Sequence, residues 1–250
     1  MKSVIVLTGF VLLYILTRIP LVDVGERIVS CDSALAGVLF TKGTFAYSLT
    51  KHLLSCVIPV ITILIVCKDK NLLECLGISS RFLRGWAVGL LCCVPMLVCN
   101  LIAGHIMFSF EKLFLGAVFP GLFEELIYRG FLFGILHRYC NWRFIWAALP
   151  AAVMFTLGHF YQSNDLVTGL QVFCVTGLGG LFFSWLYMKW DNNLWVPVSF
   201  HISMNAIWTL IPIAGSTTAA GNVTANIGRL LTVVVAVALT IFCTKMGRKL

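Results

Sequence analysis

Long runs of apolar residues are the feature that most limits what this chain can fold into. Of its 250 residues, 60% are hydrophobic and only 11% are charged, whereas a soluble protein carries about 25% charged residues. A soluble core of this size cannot bury so much apolar sequence. The bilayer must therefore be the solvent for most of the chain, and each spanning helix then needs about 17–25 mainly apolar residues.

The apolar runs predict an all-α fold, a polytopic membrane bundle of about eight transmembrane helices. The predicted spans are Val4–Leu16 (or as far as Val22), Leu53–Cys67, Trp86–Phe110, Pro120–Leu136, Phe144–Tyr161, Leu166–Met188, Leu194–Ile213 and Ile227–Cys243. Eight spans use most of the chain, which leaves no room for a large soluble domain. Residues 1–250 are therefore predicted to form a single membrane domain.

The net charge of +8 is spread over the loops between these runs and forms no single basic stripe, which argues against a nucleic-acid partner. Basic residues in short loops are expected on the cytoplasmic side. One side of the predicted bundle holds most of them: Lys2, Lys68, Lys70, Arg81, Arg84, Arg138, Arg143, Lys189, Lys245, Arg248 and Lys249. The other side holds Lys112, Arg229 and a long loop from Arg18 to Lys51. This asymmetry predicts that both termini are cytoplasmic.

Ionisable residues inside the apolar runs are concentrated first between Phe119 and Gly130. A central charge in a membrane span costs about 2.5–3.5 kcal/mol, so such residues are candidates for function. Glu125 precedes Arg129 by four residues, the favourable order for a helical ion pair, and Glu124 points about 100° away from Glu125. One carboxylate can thus be structural while the other acts as a general base.

The helix that carries these glutamates is predicted to begin at Pro120, since proline suits the first turn of a helix. Glu124 and Glu125 would then lie near the positive end of the helix dipole.

Two further polar segments lie in later apolar runs. His159 ends the run that contains Phe155, and His201 and Asn205 share a helix face at i, i+4, with Pro197 just upstream to open or kink that helix. Each alone is explained by packing or by hydrogen bonds between helices. Two Glu, one Arg, two His and one Asn in three hydrophobic spans are harder to explain that way.

The remaining histidines, His52, His105 and His137, are assigned to packing or to the membrane interface. The predicted boundaries also put Glu124 and His159 towards the non-cytoplasmic half, with His201 nearer the cytoplasmic start of its span. Helices broken at Pro120 or Pro197 would bring them to one depth, provided that the irregular backbone lines a cavity.

The three polar segments, taken in order, resemble a known family. Glu-Glu-x-x-x-Arg at Glu124–Arg129, Phe-x-x-x-His at Phe155–His159 and His-x-x-x-Asn at His201–Asn205 are similar to the motifs of the CAAX protease and bacteriocin-processing (CPBP, or Abi) family. That family includes the Ras-converting CAAX endopeptidase. The resemblance covers a catalytic core at residues 115–210 and implies a helical intramembrane peptidase. Eukaryotic members remove the C-terminal tripeptide of prenylated CAAX proteins.

The resemblance also implies roles for six residues. These are Glu124 as general base, His159 as holder of the same water, His201 and Asn205 as the oxyanion hole, and Glu125 with Arg129 as the supporting pair. The His-Glu-x-x-His zinc motif is absent, and no metal is expected to be required. Glu124, His159 and His201 nevertheless form a legitimate catalytic zinc set, so a metal-bound water stays open as an alternative.

The function expected from these residues is an intramembrane endopeptidase that hydrolyses peptide bonds with a Glu-activated, or metal-bound, water. Its partners would be the lipid bilayer and a peptide or protein with a membrane-proximal cleavage site, and its location a bacterial cell membrane. A non-proteolytic scaffold or bacteriocin self-immunity protein that retains the fold is the main rival. A transporter ranks last, because the first half has no intramembrane carboxylate comparable to Glu124.

Overall fold

The structure, a computed structural model, describes residues 1–17, 44–79, 81–216 and 218–245. All regular secondary structure in these residues is helical, which confirms the all-α prediction. The helices are α1 (Lys2–Leu16), α2 (Phe45–Val66), α3 (Leu72–Leu76), α4 (Phe82–Ala103), α5 (110–139), α6 (Phe144–Leu157, followed by a 3-10 turn at Phe160–Gln162), α7 (Leu166–Lys189), α8 (Trp195–Leu210) and α9 (Val223–Lys245).

Five helical segments in the described residues are long and apolar enough to cross a membrane. They are Phe45–Val66, Phe82–Ala103, Phe144–Gln162, Leu166–Lys189 and Val223–Lys245. The predicted number of about eight is therefore supported only in part, although each of the eight predicted spans contains a helix. Helix α8 has 16 residues and is about 24 Å long, shorter than the roughly 30 Å hydrocarbon core.

The structure changes the boundaries predicted near Leu53 and near Phe110. Helix α2 begins at Phe45, so Lys51 is helical and does not belong to the loop that begins at Arg18; residues 18–43 lie outside the described part, as do Arg248 and Lys249. The run Trp86–Phe110 is not one helix, because α4 ends at Ala103. The chain then pairs with the end of α8, where the Met107 amide donates to the Leu210 carbonyl at 2.7 Å. Apolar sequence continues across this break and hides it.

Helix α5 carries the two glutamates and is continuous but irregular. Its segments are Phe110–Leu113 (α), Phe114–Val118 (π), Phe119–Glu125 (α), Leu126–Phe133 (π) and Gly134–Tyr139 (α). The predicted start at Pro120 was wrong, since the helix begins ten residues earlier. Glu124 and Glu125 therefore lie in mid-helix, away from the positive end of its dipole. π-turns within α-helices are frequent at functional sites.

Helix α8 lies at the centre, packed against α4 and α5, while α9 also packs against α4 and α6 pairs with α7. Pro197 sits in the first turn of α8, where its missing N–H removes no helical hydrogen bond. Two glycines allow α8 to approach α5 and α4 closely. A Cβ on Gly121 of α5 would lie 2.8 Å from the backbone nitrogen of Ile202, and one on Gly89 of α4 would lie 2.6 Å from that of Phe200.

Candidate active site

The buried ion pair between Glu125 and Arg129 anchors the site. An Arg129 guanidinium N–H donates to Glu125 Oε1 at 2.8 Å, and the side chains of Arg129 and Glu125 are 1% and 0% exposed respectively. A buried charge is tolerated only when it is paired and hydrogen-bonded. The i, i+4 pairing predicted for these residues is present.

Aromatic rings enclose the Arg129 guanidinium. Its central carbon lies 4.7 Å from the centroid of the Phe155 ring and 5.2 Å from that of Phe183, which adds cation–π attraction in a dry setting. A second N–H of Arg129 reaches the Gly180 carbonyl at 3.5 Å. The Phe of the Phe-x-x-x-His motif therefore covers the arginine of the Glu-Glu-x-x-x-Arg motif. The contribution of Phe183 and Gly180 on α7 had no signal in the sequence.

His201 joins this pair from α8. Its Nδ1 lies 2.7 Å from Glu125 Oε1, the same oxygen that Arg129 contacts, and its side chain is 11% exposed. The Phe183 ring stacks on the imidazole, with centroids 5.4 Å apart and an interplanar angle of 23°. The short α8 and its approach to α5 at Gly121 thus bring His201 to the depth of the glutamates, which the predicted span boundaries did not do.

Glu124 is the carboxylate left free by this arrangement. Its side chain keeps 29% exposure, and its Oε2 lies 3.9 Å from His201 Nε2. That separation is too long for a direct hydrogen bond but allows one water to contact both atoms. The predicted contrast between a structural and a free glutamate matches the burial of the two side chains.

Neither His159 nor Asn205 forms a hydrogen bond or an ion pair with Glu124 in the described part of the chain. His159 follows α6 and is half-buried; its Nδ1 is 2.8 Å from the Phe155 carbonyl, and its ring centroid is 4.5 Å from that of Phe155. Asn205 is half-buried one turn after His201 on α8. Among the histidines in the described residues, only His201 has a ring nitrogen within 4.0 Å of a Glu124 carboxylate oxygen.

A cavity of about 420 Å³ opens further along the seam between α5 and α8. Its lining is formed by Glu111, Lys112, Leu115, Gly116 and Thr209. Thr209 lies one helical turn, about 6 Å, beyond Asn205 along α8, so the cavity lies on the side of the α8 carboxyl end.

The donors Glu124, His159 and His201 do not form a metal-binding group in this geometry. Among the described residues, no three His, Cys, Asp or Glu side chains are grouped so that they could hold a metal ion. His159 and His201 both use Nδ1 in other contacts, so only Nε2 of each ring is left to bind a metal.

His52 lies beside the site, although the sequence pattern assigned it to packing. Its ring centroid is 4.9 Å from that of Phe123 and 5.7 Å from that of Phe119. The predicted span began at Leu53 and therefore left His52 at the interface. Because α2 begins at Phe45, the residue lies about two turns inside the helix.

The fold and this cluster define an integral membrane protein with a buried site of ionisable residues. Residues 106–207 match the family model described as Rce1-like, type II CAAX prenyl endopeptidase Rce1-like. The matched segment is less than half of the chain, contains all six motif residues and overlaps the predicted core at 115–210. It confirms the predicted resemblance to the CAAX protease family, a family of membrane proteases. No curated protein and no solved structure matches the chain.

Proposed function

We propose that the protein is an intramembrane endopeptidase in which Glu124 activates water for attack on a peptide bond. The observation that carries the proposal is the difference between the two adjacent glutamates. Glu125 is fully buried and paired with Arg129, whereas Glu124 is 29% exposed and lies on the side of His201 Nε2. A general base must be ionised, must reach water and must not be held in another ion pair.

The reaction begins with a water held near Glu124 Oε2. Glu124 takes one proton as the water oxygen attacks the scissile carbonyl carbon, and negative charge develops on the carbonyl oxygen. Asn205 is the donor for that oxygen, because its amide N–H groups can donate without any change of charge. The family resemblance assigns His159 to the same water. A preorganised donor of this kind typically contributes about 10²–10³ in rate.

The donor set disfavours a metal-dependent version of this mechanism. A catalytic zinc needs three protein ligands and an open position, and the three candidate donors are not grouped for it. The mechanism therefore uses only the side chains of the chain and water.

The substrate class follows from the position of the site and from the family match. Five of the six residues lie on α5 and α8, and His159 lies near the end of the membrane-length segment Phe144–Gln162; this arrangement supports a scissile bond close to the membrane. A prenylated CAAX peptide is the first probe to use, because the matched family model is described as a CAAX prenyl endopeptidase. The cavity beside Thr209 lies on the same seam and offers room for residues next to the scissile bond.

Cleavage of a prenylated CAAX peptide that carries a fluorophore and a quencher tests the function. Purified wild-type protein should cleave it, and Glu124→Gln should lose about 10²–10⁴ of the rate, as expected for removal of a general base. Glu74→Gln is the matched control, since Glu74 is an exposed glutamate on α3, outside the site and the cavity, and should keep full activity. A folded wild-type protein that cleaves no peptide offered would favour a non-proteolytic scaffold or self-immunity protein.

The proposal includes an orientation, with both termini in the cytoplasm of a bacterial cell. The excess of Lys and Arg on one side of the predicted bundle supports it. Reporter fusions at Lys68–Lys70 and within residues 215–226 should report opposite sides of the membrane. Reporters on the same side would rule out this topology.

A further inference from the structure

Four histidines in the described part of the chain hold Nδ1 against an oxygen acceptor. The contacts are His52 to the Ser48 carbonyl at 2.7 Å, His137 to the Trp142 carbonyl at 2.8 Å, His159 to the Phe155 carbonyl at 2.8 Å and His201 to Glu125 Oε1 at 2.7 Å. A carbonyl oxygen only accepts, so the first three carry their proton on Nδ1 when neutral. His201 differs from them because its acceptor is a carboxylate.

Glu125 also accepts a hydrogen bond from Arg129. Two donors converge on the same Glu125 oxygen, Arg129 at 2.8 Å and His201 Nδ1 at 2.7 Å, which suits an ionised carboxylate. The second oxygen, Oε2, is buried and has no hydrogen-bond partner in the described residues. An ionised carboxylate cannot donate, so the Nδ1 of His201 carries the hydrogen.

This tautomer limits what His201 can do. With hydrogen on Nδ1, neutral His201 has a lone pair at Nε2, and that atom faces Glu124 Oε2 at 3.9 Å. It cannot donate to an oxyanion or to a leaving amine until it has taken up a proton. Glu124 holds such a proton directly after it has deprotonated the attacking water.

We propose that Glu125 is a positioning residue that makes His201 the proton carrier between Glu124 and the leaving amine. The proposal rests on the proposed function. Glu124 first takes a proton from water as the new C–O bond forms. A second water, in contact with both atoms, relays that proton across the 3.9 Å from Glu124 Oε2 to His201 Nε2, and the imidazolium donates it to the amide nitrogen as the C–N bond breaks. The products are a carboxylic acid and an amine, and both Glu124 and His201 return to their starting states.

The surroundings of His201 suit this role. A carboxylate bound to Nδ1–H stabilises the imidazolium and fixes the ring orientation, as the aspartate does in Ser-His-Asp triads. Arg129 keeps Glu125 in place from the other side, and the stacked Phe183 ring restricts rotation of the imidazole. His159 has only a backbone carbonyl on Nδ1, which carries no full charge, so it is less suited to hold a proton on Nε2.

The experiment compares wild type with Glu125→Gln and with the double variant Glu125→Gln/Arg129→Met. The single variant keeps the size of the side chain but leaves Arg129 as an unpaired buried charge, which can prevent folding. The double variant removes both charges and keeps the volume similar. Protein labelled with ¹⁵N-histidine reports by NMR which ring nitrogen of each histidine carries hydrogen, and the prenylated CAAX peptide reports kcat and KM. Glu74→Gln, at an exposed glutamate of α3, serves as the activity control.

In wild type, neutral His201 should have hydrogen on Nδ1. In the double variant that preference should weaken, while the His159 signals stay unchanged. Its kcat should fall about 10²–10⁴-fold, the usual range for loss of a proton-transfer group, with KM nearly constant.

Hydrogen on Nε2 of neutral wild-type His201 would overturn the proposal, and so would a folded double variant with wild-type kcat. If wild type cleaves nothing, the proposed function fails, and the proton-carrier role with it. The NMR measurement then still decides whether Glu125 sets the tautomer.

Discussion

Helices α8 and α9 both pack against α4 and both read as apolar runs, yet they are buried in different ways. Every residue of α8 from Val196 to Ser203 is buried. Helix α9 instead buries a single stripe of mostly small residues: Ala225, Gly228, Thr232, Ala236, Thr240 and Cys243. Large apolar side chains such as Leu230 and Val234 cover its other faces. A helix surrounded by protein can hold an imidazole such as His201, because other helices supply its partners.

The polar side chains of α9 also differ in their contacts from those of α8 and of α5, which faces α8 across the site. Polar side chains on α9 serve as helix contacts, since the Trp190 indole N–H donates to Thr240 Oγ1 at 3.0 Å. Polar side chains on α5 and α8 meet one another instead. Burial on all sides thus separates the part of the molecule that can do chemistry from the part that faces lipid, and substitutions in the two parts should have different effects.

The largest effect is expected from Arg129→Ala. It leaves Glu125 as an uncompensated buried charge, and breaking a buried pair costs about 3–5 kcal/mol. Folded yield, measured by size-exclusion chromatography in one detergent, should fall sharply. The exposed pair Arg81–Asp191, with N···O 3.2 Å and side chains 42% and 33% exposed, is the control, and Arg81→Ala should cost no more than about 1 kcal/mol. Equal yields for the two variants would contradict the assigned role of the buried pair.

Next in size is the effect of Asn205→Ala on turnover. An oxyanion donor acts mainly in the transition state, so kcat should fall about 10²–10³-fold while KM stays nearly constant. Steady-state kinetics with the prenylated CAAX peptide measure both constants. Asn226→Ala on α9 removes an amide that donates to the Ala220 carbonyl and should leave kcat unchanged. A raised KM with normal kcat would make Asn205 a substrate-binding residue instead.

A smaller effect on stability is expected from alanine at helix-contact glycines. In Gly121→Ala the new Cβ would meet the Ile202 backbone, whereas in Gly228→Ala on α9 the nearest atom is the Cys99 side chain at 3.0 Å. Overpacking typically costs about 1–3 kcal/mol, and a backbone yields less than a side chain. Thermal unfolding should show the larger loss for Gly121→Ala, with lower activity as His201 moves away from Glu124. The reverse order would mean that α5 and α8 pack less rigidly than α4 and α9.

Glu124→Gln should change stability very little, by no more than about 0.5 kcal/mol, because its side chain is partly exposed and lies outside the buried ion pair. Glu125→Gln should lower the midpoint of thermal unfolding, because it leaves Arg129 unpaired. Measuring both variants under identical conditions separates the two glutamates. A large loss for Glu124→Gln with none for Glu125→Gln would reverse their roles.

No change at all is expected from exhaustive chelation if Glu124 activates water without a metal. Activity on the prenylated CAAX peptide should survive dialysis against chelator. Its pH dependence should show a rising acid limb, because the base must be ionised. Loss of activity that added zinc restores would establish the metal-dependent alternative, and His159→Ala and His201→Ala should then both reduce bound metal.

The sequence by itself determined the membrane setting and the fold class, and it predicted the six candidate residues of the site. Apolar runs and rare ionisable residues reflect the cost of charge in lipid, which acts on each residue separately and is therefore visible along the chain. The i, i+4 spacing of Glu125 and Arg129 was readable for the same local reason.

Contacts between helices were decided only by the tertiary structure. Nothing in the spacing of His201 indicates that it meets Glu125, or that Phe183 and Gly180 enclose Arg129. The early start of α2, which brings His52 to the site, was hidden because apolar sequence looks alike inside and outside a helix. Such contacts depend on close approach at Gly121 and Gly89 and on a central helix too short to span the bilayer. These features arise from packing among helices, which no single stretch of sequence specifies.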